Sequence, residues 1–396
     1  MATAQSIPDV QHPSATASAA LLVSVAPMPP EQMESVFASL IASFPANDLL
    51  IATPNDPTGT AYPALRIVPT PVTKAVWPLA ATDFVNAYRL AKENSVRGIL
   101  ILGPGSNSLS TSALRELANA VLASQTDLAV PHYTLPPRAG LVNSAILYPL
   151  TRSLFASRVR FPLAIDLGLS LRMAERLANV GQRLTSLNQG DAIIWPVSEA
   201  SVSGFVIEEF NVGRRELPQP AEPSLNAILT LVTGSLFADI EAKAAFWQRP
   251  RRLTLEQFSM PDMPEVDGAA DIVPMVEGFR LAFTNLQEIW SLVLTPNSLL
   301  GLKRLSAVEP SAFRMPEGLW ARIVFDFLIA YRLRTINRGH LLGALIPLYL
   351  AWVAGHINVM VSGTSAEQHI DAVTAAFEAD KQYIVSRWRW PDRFNP

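Results

Sequence analysis

Residues 20–26, ALLVSVA, are an apolar run closed by Pro27, too short for a helix and suited to a buried strand. The next segment, PEQMESVFASLIASF, repeats Met33, Val36, Phe37, Leu40 and Ile41 at helical spacing, which predicts a helix with one apolar face. DLLIATP then reads as a second strand and ALRIVPT as a short third. ATDFVNAYRLAKEN is a helix, RGILILG a strand and SALRELANAVLAS another helix, followed by a strand within TDLAVPHYT. Strands alternating with helices predict an α/β fold with a mostly parallel sheet, built from βαβ units with helices on both faces.

The pattern changes after ELPQPAEPS, Glu216 to Ser224, a proline-rich polar stretch that reads as a joint. Beyond it the periods are almost all helical. Ile228, Leu229, Val232, Leu236 and Ile240 share a face, with Ser224 placed as an N-cap, and Ser365 with Gln368 has capping-box spacing before the last amphipathic segment. The expected organisation is a polar tail at 1–18, an α/β domain at 19–218 and a C-terminal helical domain at 219–396.

Composition sharpens this picture. Hydrophobic residues make up 49% and charged residues 16%, against about 25% charged in ordinary soluble domains, so much surface is buried or awaits a partner. A net charge of −3 and no basic block argue against nucleic acid. The chain has no cysteine, which excludes disulfides and thiolate metal sites and fits a reducing compartment. The first residues lack the basic and apolar regions of a secretory signal, so the expected location is the cytoplasm. Leu341–Val361 is long and uncharged enough to span a membrane, but Gly343, Pro347, Gly355, His356 and Asn358 argue for a buried helix.

Candidate chemistry is sparse. ILILGPGSNSLS ends a strand at Gly103-Pro104-Gly105, where an α/β protein usually places its site, yet the tip carries no titratable side chain. Two glycines suit a phosphate cradle, but the third glycine of a dinucleotide fingerprint and the Lys-Ser/Thr pair of a P-loop are missing, so a plain turn is the simpler reading. His356 and His369 read as ordinary polar residues on helix faces, no histidine pair has zinc-binding spacing, and no G-x-S-x-G elbow occurs. Glu208 and Glu209, adjacent on a strand, should point to opposite faces, one solvated and one paired.

Several segments, taken in order, resemble a family. RAGLVNSAILYPLTRSLFASRVRFPLAIDLGLS is similar to the central block of GT-A-fold glycosyltransferases of the mannosylglycerate and glucosyl-3-phosphoglycerate synthase type. Tyr148-Pro149-Leu150-Thr151-Arg152 matches their YPLTR helix, and Asp166 is what remains of their Gly-Gly-Asp-Phe turn, whose glycines are replaced by Ala164 and Ile165. IATPNDPTGT resembles the nucleotide loop, with Thr58, Gly59 and Thr60 in pattern, and Lys74 falls near the family's Gly-Lys-Gly lysine. GFVIEEFNVGRREL resembles the strand ending in G-x-K-x-H.

The resemblance implies a nucleotide-sugar donor, a glycerate-like acceptor and a Mg²⁺ or Mn²⁺ ion. It also implies that Gly103 and Gly105 stand where the family carries Asp-X-Asp, and Leu217 where it carries a metal-binding histidine. None of these side chains can ligate a hard cation. The corner is therefore degenerate, and neither a metal nor any other cofactor is expected. Two functions remain open. One is a pseudo-glycosyltransferase acting as a binding or partner module, with a second copy of itself or a paralogue as partner. The other is a metal-independent transferase, with Arg214 and Arg215 at the diphosphate, Asp166 as the catalytic residue near sugar or acceptor, and Arg138 and Asn143 along the acceptor loop. Surface solubilisation is the plainer account of Arg214-Arg215.

Overall fold

The computed structural model describes residues 19–54, 64–71, 79–217, 225–249 and 271–391. The first apolar run forms β1 (Leu21–Val25), and the amphipathic segment after it forms α1 (Pro30–Ser43), started by prolines at its N-terminus. Met33, Val36, Phe37 and Leu40 are buried as the spacing predicts, but Ile41 is 42% exposed. At about 100° per residue Ile41 lies on the rim of that apolar arc, which explains the miss.

β2 (Leu49–Thr53), β3 (Arg66–Pro69), α2 (Ala81–Glu93), β4 (Gly98–Leu102), α3 (Thr111–Leu122) and β5 (Leu128–Thr134) follow. After a π-helical turn at Asn143–Leu147 come α4 (Tyr148–Phe155), β6 (Leu167–Ser170), α5 (Leu171–Ser186), α6 (Pro196–Ser203) and β7 (Ile207–Arg214). The seven strands make one sheet in the order β3-β2-β1-β4-β6-β5-β7. All pairings are parallel except those of β6, which runs antiparallel between β4 and β5. This is the mostly parallel α/β sheet that the sequence predicts. Helices α1 and α3 pack together, as do α2 and α5, and Gly181 lets α5 approach α2 so closely that a Cβ there would lie 2.7 Å from the Ala81 carbonyl oxygen.

The second half is helical: α7 (Leu225–Ala242), α8 (Ala244–Trp247), α9 (Val273–Asn285), α10 (Gln287–Val293), α11 (Pro296–Ser306), α12 (Glu317–Leu333), α13 (Arg338–Val361), α14 (Ala366–Ala379) and α15 (Lys381–Arg389). The capping box at Ser365 and Gln368 forms as expected, whereas Ser224 lies outside the described residues. Among the described residues α7 and α13 are long and apolar enough to cross a membrane. α13 is nevertheless the largely buried centre of the helical layer, in contact with α7, α9, α12 and α14.

The buried apolar residues fall into two clusters. One lies on the sheet between Ala19 and Val212. The other fills the helical layer and also takes in Ala145–Leu147, Leu150, Leu154, Phe155, Ile193 and Trp195 from the α/β half. Polar ties cross the same seam. The Trp320 indole donates to the Ala145 carbonyl at 2.8 Å, and Arg152 pairs with Glu378 at 2.8 Å. α4 thus belongs by sequence to the sheet half and by packing to the helices.

Candidate active-site corner

β4, β5 and β7 finish at the same end of the sheet, where antiparallel β6, lying between β4 and β5, begins. Gly103-Pro104-Gly105 caps β4 as a turn, followed by a 3-10 turn at Ser106–Ser108. The regular helix begins only at Thr111, with Ser110 as N-cap. Its positive end is therefore several residues away from the glycines, and the turn reading holds over the phosphate cradle.

Asp166, just before β6, is completely buried and points into this corner. Its Oδ1 accepts from the Gly103 backbone N–H at 3.0 Å, and its Oδ2 from the Tyr133 hydroxyl at 2.9 Å. Arg215, the first residue after β7, completes the set, with Nε 2.9 Å from Oδ2 and Nη2 3.3 Å from Oδ1. Nη2 also donates to the Pro104 carbonyl at 2.8 Å. Nη1 donates to the carbonyls of Gly105 and Glu216, the latter at 2.8 Å, with the Ser108 hydroxyl 3.3 Å away. A guanidinium has five N–H donors in a planar fork, and here each has an oxygen to bond. The Arg215 and Asp166 side chains are both 0% exposed. Burial, and after it the Asp166 charge, pushes the Tyr133 phenol well above its usual range, so it stays protonated and donating.

The bare turn at Gly103–Gly105 has a steric counterpart. A Cβ on Gly103 would come within 2.8 Å of both the Cβ and the carbonyl oxygen of Ile165. A Cβ on Gly105 would meet Arg215 Nη1 at 2.8 Å, and its φ of +76° already favours glycine. Ile165 and Arg215 therefore each require a glycine opposite. Leu217 lies near Gly140, where a Cβ would be 3.9 Å from its Cδ1. A divalent cation does not fit these residues: Gly103, Pro104, Gly105 and Leu217 offer no side-chain oxygen or nitrogen, and the one carboxylate is already bound by a guanidinium. Among the described residues no three His, Cys, Asp or Glu side chains are grouped so as to hold a metal.

The structure treats the other candidates unequally. Arg214 and Arg215 do not act as a pair: the bulge at Gly213, whose φ is +74°, resets the alternation of β7 after buried Val212, leaving Arg214 exposed and turning Arg215 inward. Solubilisation thus suits Arg214 but not Arg215. Asn143 sits in the π-turn and donates to the Arg160 carbonyl at 2.9 Å, so its amide holds the chain that leads toward Asp166. Arg138 is half-buried in the segment between β5 and α4. Thr58, Gly59, Thr60 and Lys74 lie outside the described residues. Glu208 is exposed and Glu209 partly buried, as their alternation predicts, but both are paired: Glu208 accepts from the Thr126 hydroxyl and Glu209 from the Arg160 backbone N–H at 2.7 Å.

Two features escaped the sequence reading. Tyr133 carries no motif and shows only as an aromatic at a strand end. His356 and His369 are not ordinary polar residues: both are buried, with their Nδ1 atoms 2.6 Å apart and their rings against Trp352. They come from different helices, so no spacing rule could pair them. Burial, then the charges of His369 and Arg160, pushes His356 down to about 3.

No protein-family model matches the chain, and no curated protein matches it. Among solved structures it is similar to glucosyl-3-phosphoglycerate synthase from Mycobacterium tuberculosis in complex with Mn²⁺, UDP-glucose and phosphoglyceric acid. The TM-score is 0.37 and the identity 14%, over 57% of this chain and 80% of that one. The same synthase with Mn²⁺, UDP and glucosyl-3-phosphoglycerate gives a TM-score of 0.36 at 14% identity and the same coverage. A further structure, described as a mycobacterial protein, gives a TM-score of 0.36 at 14% identity, over 56% of this chain and 75% of that one.

Proposed function

We propose that this chain is a glycosyltransferase-like protein without metal-dependent sugar transfer, whose sheet end serves as a binding or partner module. The observation that carries this reading is the Arg215 guanidinium, which is fully buried, bonded to Asp166 and to two carbonyls of the Gly103–Gly105 turn. Transfer from a nucleotide-sugar needs a cation free to face the leaving diphosphate as its charge grows. Arg215 is not free, and Asp166, the expected catalytic residue, is held by three donors inside the fold. Asp166 on this reading organises the corner and does not meet sugar.

The test is a melting titration of the purified protein with UDP-, GDP- and ADP-glucose, with and without Mn²⁺. The expected result is no Mn²⁺-dependent shift with any of them. A Mn²⁺-dependent rise of several degrees would overturn the reading.

One observation favours the second reading, a metal-independent transferase acting on a glycerate-like acceptor: Arg214 is exposed at the end of β7, beside the corner. If it clamps a diphosphate, a metal-independent shift should appear and vanish in Arg214→Ala. The partner we infer for the module is a second copy of this chain. Leu281, Leu292 and Leu300, on the successive helices α9, α10 and α11, are 65%, 48% and 47% exposed. Light scattering that reports a monomer at high concentration would remove that part.

A further inference from the structure

We propose that the corner formed by Pro104, Gly105 and Asp166 is a guanidinium-binding site, filled in this chain by its own Arg215, which serves as the resident cation of the sheet end. The ligand class follows from the shape of the donor set. One carboxylate is engaged through both oxygens, by Nε at 2.9 Å and Nη2 at 3.3 Å, which is the planar two-point match of a guanidinium and not of a point charge. The carbonyls of Pro104, Gly105 and Glu216 take the remaining N–H groups around the rim of the same fork. A free ammonium has three donors on one atom and cannot reach all these acceptors at once.

The site is also structural. Arg215 joins the ends of β4 and β7 to the start of β6, a convergence at which the fold family is expected to place a metal. Gly105 and Arg215 are complementary, because any side chain at 105 would occupy the place of Nη1. The site shares Arg215 with the functional reading but does not depend on it: Mn²⁺-dependent nucleotide-sugar binding by the native chain would remove that reading and leave the guanidinium site standing.

The experiment is chemical rescue. Arg215→Ala is expected to melt about 5–10 °C below the native chain, because it strands a buried carboxylate. Millimolar methylguanidinium or ethylguanidinium should restore at least half of that loss, through binding to the folded state alone. Mg²⁺, Mn²⁺ and methylammonium at equal concentration should restore little. If Arg215→Ala does not stay folded, refolding yield with and without ethylguanidinium is the readout. Arg215→Lys should fall between native and Arg215→Ala, and rescue should disappear when Asp166→Asn is added to Arg215→Ala. Equal or better rescue by a divalent cation would overturn the proposal, since the oxygen cage would then be a general cation site. So would the absence of alkylguanidinium rescue, or an Arg215→Lys variant as stable as the native chain.

Discussion

The corner around Asp166 and the seam between α13 and α14 are buried to a similar degree, yet their polar groups are satisfied very differently. Asp166 accepts from a backbone N–H, a phenol and a guanidinium, and the guanidinium spends its remaining donors on carbonyls. At the seam His356 and His369 share one short contact, while His356 Nε2, His369 Nε2, Trp352 Nε1 and Arg160 Nη1 have no hydrogen-bond partner among the described residues. The corner holds opposite charges in a fixed geometry. The seam holds imidazoles whose pKa values burial lowers, His356 helped by the charges of His369 and Arg160, and His369 in spite of the Glu317 carboxylate 3.6 Å from its Nε2. A fully paired buried cluster resists change of any one member, whereas a partly paired one responds to protons.

The largest effect should come from breaking the corner. Asp166→Ala leaves the guanidinium buried with only carbonyl partners, and should cost about 3–5 kcal/mol in urea denaturation. A loss below about 1 kcal/mol would mean that the corner is no better paired than an exposed ion pair.

Next is a test of the steric half of the corner. Gly103→Ala should cost about 1–3 kcal/mol, because its methyl meets Ile165 at 2.8 Å and the β4 end must shift. Adding Ile165→Gly should recover part of the loss if the two positions are coupled, so a double-mutant cycle checks the claim. Strict additivity would sink it.

The seam should show itself as pH dependence. His356, about 3 in the fold against 6.5 unfolded, supplies stability that is fully present above pH 6.5 and is lost as pH falls toward 3. Asp326, on α12, acts in the opposite sense. Burial raises it from 3.8 to about 6, despite hydrogen bonding from Tyr383, so its contribution is present below pH 3.8 and is lost as pH rises through 6. Between those limits each group changes stability by up to about 1.4 kcal/mol per pH unit, with opposite signs. Relative to the native chain, His356→Gln should lose less stability on acidification, and Asp326→Asn less on raising the pH from 4 to 7. Denaturation midpoints across that range check both slopes, and parallel profiles for all three proteins would refute the assignment.

Particular residues show how far the sequence could be read. The elements from β1 to α4, the turn at Gly103–Gly105 and the buried helix at Leu341–Val361 are legible, because apolar period and chain punctuation are local properties, whereas β6, α5 and α6 escape that reading. Asp166 and Arg215 could each be singled out along the chain, while the crowding of Gly103 by Ile165 could not. Their union could not, since Arg215 lies 49 residues from Asp166 and 110 from Gly105. Alternation could suggest that Arg214 and Arg215 face opposite ways, but not which one the corner would accept.

By itself, then, the sequence determined the α/β pattern, the bare turn at Gly103–Gly105 and the identity of the few charged residues near it. Tertiary structure alone decided that one arginine fills the corner at Asp166, that α4 packs with the helices, and that two distant histidines meet. The reason is physical: periodicity acts between residues a few positions apart, while a buried charge is settled by whichever partner the fold brings to it.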